Sequence, residues 1–63
     1  MINQLNSKIT DYTNKVVKLK AHASYYEVNN MTTQFEMEKL RIMTYESIIY
    51  DLKGIVLNIE SVS

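Results

Sequence analysis

The chain has 63 residues and a mass of 7.4 kDa, which exclude more than one domain and a large enclosed active site. Seven basic residues balance seven acidic ones, so no overall charge draws the chain to a polyanion. The absence of Cys and the single His exclude a disulfide framework and the usual zinc ligand sets. Hydrophobic residues make up 46% of the chain and charged residues 22%, proportions typical of a folded protein.

The first half of the sequence carries an apolar heptad repeat. Apolar residues alternate at spacings of three and four, and the intervening positions are mostly polar. This is the pattern of a long amphipathic helix with a narrow apolar stripe, and it predicts a first helix over about residues 2–28. The stripe consists of Ile2, Leu5, Ile9, Tyr12, Val16, Leu19, Ala23 and Tyr26.

The repeat stops at Asn29-Asn30-Met31-Thr32-Thr33, where Asn can adopt the left-handed conformation that ends a helix. We therefore predict a turn over residues 29–33. Thr33 followed by Glu36 fits a capping box, which predicts that the second helix starts near Gln34. A second apolar stripe predicts that this helix continues to about residue 60. Glu38 is the one polar member of the second stripe, whose apolar members are Phe35, Ile42, Tyr45, Ile49, Leu52, Val56 and Ile59.

Two stretches also permit a different secondary structure. Residues 55–59 are rich in β-branched side chains and residues 17–25 alternate between polar and apolar, so both can be read as strands. Gly54 after Lys53 can act as a helix C-cap, which would end the second helix early. We favour helices because the heptad repeat accounts for more positions.

The predicted fold is all-α, a single domain over residues 1–63 that forms an antiparallel helical hairpin. The second helix carries apolar residues beyond its stripe, at Ile48, Ile55 and Val62 on one flank and at Met43, Tyr50 and Leu57 on the other. One partner helix cannot cover all of them, so we expect a homodimer that forms a four-helix bundle. Its expected dimer core is Ile2, Leu5, Ile9, Tyr12, Val16, Leu19, Tyr26, Phe35, Ile42, Tyr45, Ile49, Leu52, Val56 and Ile59.

In length and predicted layout, the chain resembles the Rop proteins, plasmid-encoded dimers of helical hairpins that bind paired RNA loops. The resemblance covers layout alone, because no residue motif matches. No functional residue is therefore carried over.

Two groups of side chains are candidate binding surfaces. Met43, Tyr50, Leu57 and Tyr25 are residue types enriched at interfaces, and they indicate either a protein-binding strip or the second packing face of the bundle. A basic strip on the first helix, interrupted by Asp11 and lacking Arg, could follow a phosphate backbone. Its members are Lys8, Lys15, Lys18 and His22.

Catalytic residues are not predicted. His22 has no carboxylate three or four residues away, and Glu36 and Glu38 are two apart and do not project together. Glu36 is instead predicted to pair with Lys39, and Glu38 with Arg41. No nucleotide loop, nucleophile motif, metal cluster or cofactor signature occurs, so we expect no enzyme activity, metal or cofactor.

We expect a regulatory protein that binds and inhibits or modulates a larger protein through its helix surfaces. The alternatives are a Rop-like RNA-binding regulator that uses the basic strip, and a structural subunit or assembly factor. The sequence carries neither a secretory signal nor a span of about 20 apolar residues, which predicts a cytoplasmic protein without membrane contact. The richness in Ile, Asn, Lys and Tyr suggests AT-rich coding, as in a low-GC bacterium, its phage or a mobile element. For a phage or mobile element, the protein would act in the host cytoplasm on a host enzyme or defence system.

Overall fold

The computed structural model describes residues 1–62, which form two long helices joined by a short turn. Helix α1 spans Ile2–Val28 and helix α2 spans Thr32–Val62. Tyr12 of α1 lies beside Tyr45 of α2, and His22 lies beside Glu38, so the helices run antiparallel. The hairpin measures 50 × 14 × 11 Å. The described residues are all-helical apart from the turn and the first residue, as the heptad pattern predicted.

The apolar stripes of the two helices pack against each other along the hairpin. Val16, Leu19, Ala23 and Ile42 form a buried cluster in the half nearer the turn. Phe35, Tyr45 and Ile49 of α2 pack around this cluster, while Val56 is buried nearer the open end. Each of the fourteen side chains predicted for the dimer core is buried or half-buried within the single hairpin.

The turn is shorter than predicted because two backbone hydrogen bonds close it tightly. Asn30 has a φ of 58°, in the left-handed region that Asn tolerates better than most residues. The Asn30 amide donates to the Glu27 carbonyl at 3.2 Å, and the Met31 amide donates to the Tyr26 carbonyl at 2.8 Å. This pair of bonds is a Schellman motif, which satisfies carbonyls at the end of α1 and reverses the chain.

The capping box predicted at Thr33 is wrong, because α2 begins at Thr32. The Met31 carbonyl accepts the Phe35 amide at 2.9 Å, so Met31 holds the N-cap position and Thr33 already lies inside the helix. The tight turn after Asn30 brings the backbone into helical geometry two residues before the predicted start. Glu36 instead pairs with Lys39, whose Nζ lies 3.8 Å from Glu36 Oε1.

The strand interpretation of residues 17–25 and 55–59 is wrong, since both stretches lie inside helices. The alternative in which Gly54 ends the second helix is also wrong, because α2 continues through Gly54 to Val62, close to the predicted end near residue 60. A glycine inside a helix costs about 1 kcal/mol relative to alanine, but it does not prevent the helical conformation. Packing of the stripe beyond Gly54, where Val56 is buried and Ile59 half-buried, offsets that cost.

Candidate interaction surfaces

A carboxylate, Glu38, lies buried in the apolar stripe of α2. Its side chain is 9% exposed, and Arg41 Nη1 lies 3.4 Å from its Oε1. On the other side, Nδ1 of His22 from α1 lies 3.8 Å from Glu38 Oε2. The pairing with Arg41 follows the predicted spacing along one helix. The contact with His22 crosses the hairpin, so spacing within either helix did not indicate it.

This cluster predicts that Glu38→Leu stabilises the hairpin by about 1–2 kcal/mol, because a partly paired buried charge is replaced by an apolar side chain at a core position. The side chains of Arg41 and His22 are 61% and 65% exposed, so both stay hydrated without Glu38. Urea unfolding at one fixed protein concentration measures the change. Glu38→Gln, which keeps the size and a polar group, should give no such gain. A lower unfolding midpoint for Glu38→Leu would contradict the prediction.

The basic strip lies on an exposed side of α1, but α2 engages two of its four members. Lys15 Nζ lies 5.5 Å from the centre of the Tyr45 ring, a cation–π contact. His22 faces the carboxylate of Glu38. Lys8 and Lys18 are exposed. The strip is therefore interrupted by Asp11 and partly compensated by groups of α2, both of which weaken its attraction for phosphate.

The basic strip borders an open groove of about 480 Å³ between the helices, which we call the basic groove. Lys15 and Arg41 supply its positive charge, and the side chain of Leu40 is 64% exposed beside it. Ile55 follows Ile48 by seven residues on the same flank of α2 and is 47% exposed. The groove is lined by Lys15, Leu19, Leu40, Arg41, Thr44, Tyr45 and Ile48.

The opposite flank of the hairpin carries two further open grooves of about 380 and 240 Å³. Tyr50 and Val17 line the first of them, and Leu57 lines the second. Tyr50 is 79% exposed, and Met43 and Leu57 are also largely exposed. These three side chains recur every seventh residue, so they form one apolar line along α2.

Tyr25, the fourth candidate contact residue, lies apart from that line because it belongs to α1. Tyr25 follows the basic strip on α1, three residues after His22, which places it on the flank of the basic groove. Its ring packs edge-on against Tyr26 with the ring centres 5.8 Å apart, and it is 61% exposed. The structure therefore separates the candidate residues into two surfaces.

Within residues 1–62, no group of three or more His, Asp or Glu side chains is placed to hold a metal ion. Neither described helix is long and apolar enough to cross a membrane. The surfaces that remain as candidates for binding are the grooves and the exposed side of α2.

No protein-family model matches the chain, and it has no significant match among curated proteins or solved structures. What its surfaces can bind is therefore inferred from their own geometry and charge.

Proposed function

We propose that this chain is a small, non-enzymatic regulatory protein that pairs with a second copy into an assembly of four helices and binds a larger protein. The observation that carries the proposal is the amount of apolar surface that the hairpin leaves uncovered. Seven of the eleven large hydrophobic side chains exposed in the described chain belong to α2: Met37, Leu40, Met43, Tyr50, Ile55, Leu57 and Val62.

Exposed apolar side chains in this number are typical of interaction sites, because their contact with water is unfavourable. The exposed residues lie on two flanks of α2, so one copy and one target protein can each cover a separate surface. Open grooves between two helices bind apolar ridges of a partner better than they enclose a small substrate. This supports a binding role over an enzymatic one.

We assign the target protein to the flank of the basic groove. The groove combines the apolar side chain of Ile48, which Ile55 continues along the same flank, with the positive charges of Lys15 and Arg41. A fitting partner is an amphipathic helix with an apolar face bordered by acidic side chains. If the chain comes from a phage or mobile element, such a helix would belong to a host enzyme or defence protein that the small protein inhibits.

Affinity capture with matched baits tests this assignment. Ile55→Asp places a charge on the target flank, and Val28→Asp places the same charge at an apolar side chain that is 79% exposed near the turn. We expect one host protein to be retained by the unmodified chain and by Val28→Asp, but not by Ile55→Asp, while circular dichroism shows equal helicity. Retention of the same protein by all three baits would contradict the assignment.

RNA binding is the second candidate function, and the exposed Lys8 and Lys18 beside Lys15 favour it. Phosphate contacts give an affinity that falls steeply with salt. If the baits retain only RNA or ribosomes, and a salt titration shows that steep dependence, RNA binding replaces the protein-binding proposal.

A further inference from the structure

We propose that the second copy binds the outer face of α2, with the two α2 helices antiparallel and in one register. The outer face is defined by Leu40, Met43, Ser47, Tyr50, Gly54 and Leu57, all exposed in the hairpin. The inference rests on the proposed self-association and adds where and how the copies meet.

The outer face has the spacing of a helix-packing seam of its own. Its members alternate at intervals of three and four residues, as the buried stripe does. Large side chains at Met43 and Tyr50 alternate with small residues at Ser47 and Gly54. Such a face can pack closely against a copy of itself when the large side chains of one helix meet the small residues of the other.

In an antiparallel pair, one register places the large side chains of each helix opposite small or apolar residues of the other. When Ser47 lies opposite Tyr50 of the second copy, Met43 lies opposite Gly54, and Leu40 lies opposite Leu57. Two-fold symmetry repeats each of these contacts. Every large side chain then meets either a small residue or an apolar one.

Gly54 supports this arrangement because the hairpin itself does not require a glycine there. Its φ is not positive, and a Cβ built on it meets nothing within 4 Å. A glycine inside a helix is unfavourable by about 1 kcal/mol relative to alanine, and within one chain nothing is gained in return. Opposite Met43 of a second copy, the missing side chain leaves the space that the Met43 side chain fills.

The charges beside the outer face select the same register. A column of Lys39, Glu46, Lys53 and Glu60 alternates in sign at intervals of seven residues. In the proposed register, Glu46 lies beside Lys53 of the second copy, and Lys39 lies beside Glu60. Within the described chain, neither Glu46 nor Lys53 forms an ion pair, so both charges can face a second copy.

Competing arrangements bring like charges together. Moving one helix by seven residues in one direction places Lys53 beside Lys53 of the second copy and Glu46 beside Glu60. Moving it in the other direction places Glu46 beside Glu46. A parallel pair in register sets Tyr50 against Tyr50, and it places Glu46 beside Asp51 of the second copy, which are like charges. Repulsion between like charges therefore disfavours these alternatives.

A charge-exchange experiment tests the register. Glu46→Lys turns both attractive contacts with Lys53 into repulsive ones, and we expect the dimer dissociation constant to rise about tenfold at low salt. The exchange variant Glu46→Lys/Lys53→Glu restores opposite charges across the interface and should bring the constant back close to its original value. Asp11→Lys, the same charge change on an exposed residue of α1, is the control and should have little effect. Sedimentation equilibrium measures all four proteins.

Spin labels on single cysteines provide a second readout in this cysteine-free chain. Labels at Asp51, an exposed residue beside the outer face, should lie close together near the two-fold axis. Labels at Ser61 should lie about 35–40 Å apart along the helices, given a rise of 1.5 Å per residue. In a parallel pair both labels would be close to their counterparts.

The outcomes distinguish failure of the proposed register from failure of the proposed self-association. An unmodified chain that stays monomeric at all concentrations overturns the register and the proposed self-association together. Three results would overturn the register alone: no weakening of the dimer by Glu46→Lys, no recovery of the dissociation constant in the exchange variant, or Ser61 labels that lie close together. A dimer that shows the charge rescue and widely separated Ser61 labels supports the proposed arrangement.

Discussion

Replacing Leu19 with Ala is expected to unfold most of the protein at 25 °C. Leu19 is 7% exposed and lies in the buried cluster with Val16, Ala23 and Ile42. A buried Leu→Ala change costs about 3–5 kcal/mol in lost burial and cavity formation. A domain of this size rarely has more than about 3–5 kcal/mol of stability, so the loss removes most of it. Far-UV circular dichroism and urea unfolding measure the effect.

Val17→Ala is the matched control because Val17 follows Val16 on α1 but is 62% exposed. Its effect on the free energy of unfolding should stay within about 0.5 kcal/mol, as for most surface substitutions. Both variants need the same protein concentration, because self-association adds to the apparent stability. Equal stability of the two variants would show that the cluster around Leu19 does not hold the helices together.

Tyr50→Asp is expected to abolish self-association while leaving the hairpin folded. Tyr50 is 79% exposed, so the change removes little packing within one chain. In the proposed dimer, Tyr50 lies at the centre of the outer face, where the substitution replaces a large apolar contact with a buried charge. Central aromatic residues often contribute several kcal/mol to an interface, so we expect at least about a hundredfold weaker dimer. Light scattering over a range of concentrations measures it.

Tyr25→Asp is the control for this experiment, since Tyr25 is also an exposed tyrosine but lies on the flank of the basic groove. It should leave the dimer intact. Loss of helicity in Tyr50→Asp would assign Tyr50 to the packing of the hairpin instead. Assemblies of the unmodified chain that keep growing beyond a dimer would favour the structural-subunit alternative.

The heptad pattern predicted the two helices because burial in a hairpin depends mainly on periodicity. Leu19 and Ile42 occupy stripe positions, and both are buried. Glu38 is also buried because it occupies a stripe position, even though it carries a charge. Periodicity alone was therefore sufficient to identify which side of each helix meets the other.

Features that depend on how the two helices are aligned could not be predicted in the same way. The contact between His22 and Glu38 joins residues of different helices, and its existence depends on the length of the turn. The sequence indicated a left-handed Asn at the end of α1, which Asn30 provides, but it did not indicate the two backbone hydrogen bonds that shorten the turn. The same alignment places Tyr25 and Tyr50 on different flanks, although both are exposed tyrosines.

The turn also determines how the chain can reach its native state. Only residues 29–31 separate the two helices, so the first contacts between them form across a very small loop with a low entropic cost. We expect contacts farther along the hairpin to form after these, since each needs a longer loop to close. A topology with such local contacts is associated with folding in microseconds to milliseconds, so the protein is expected to spend little time as an exposed, aggregation-prone chain after synthesis.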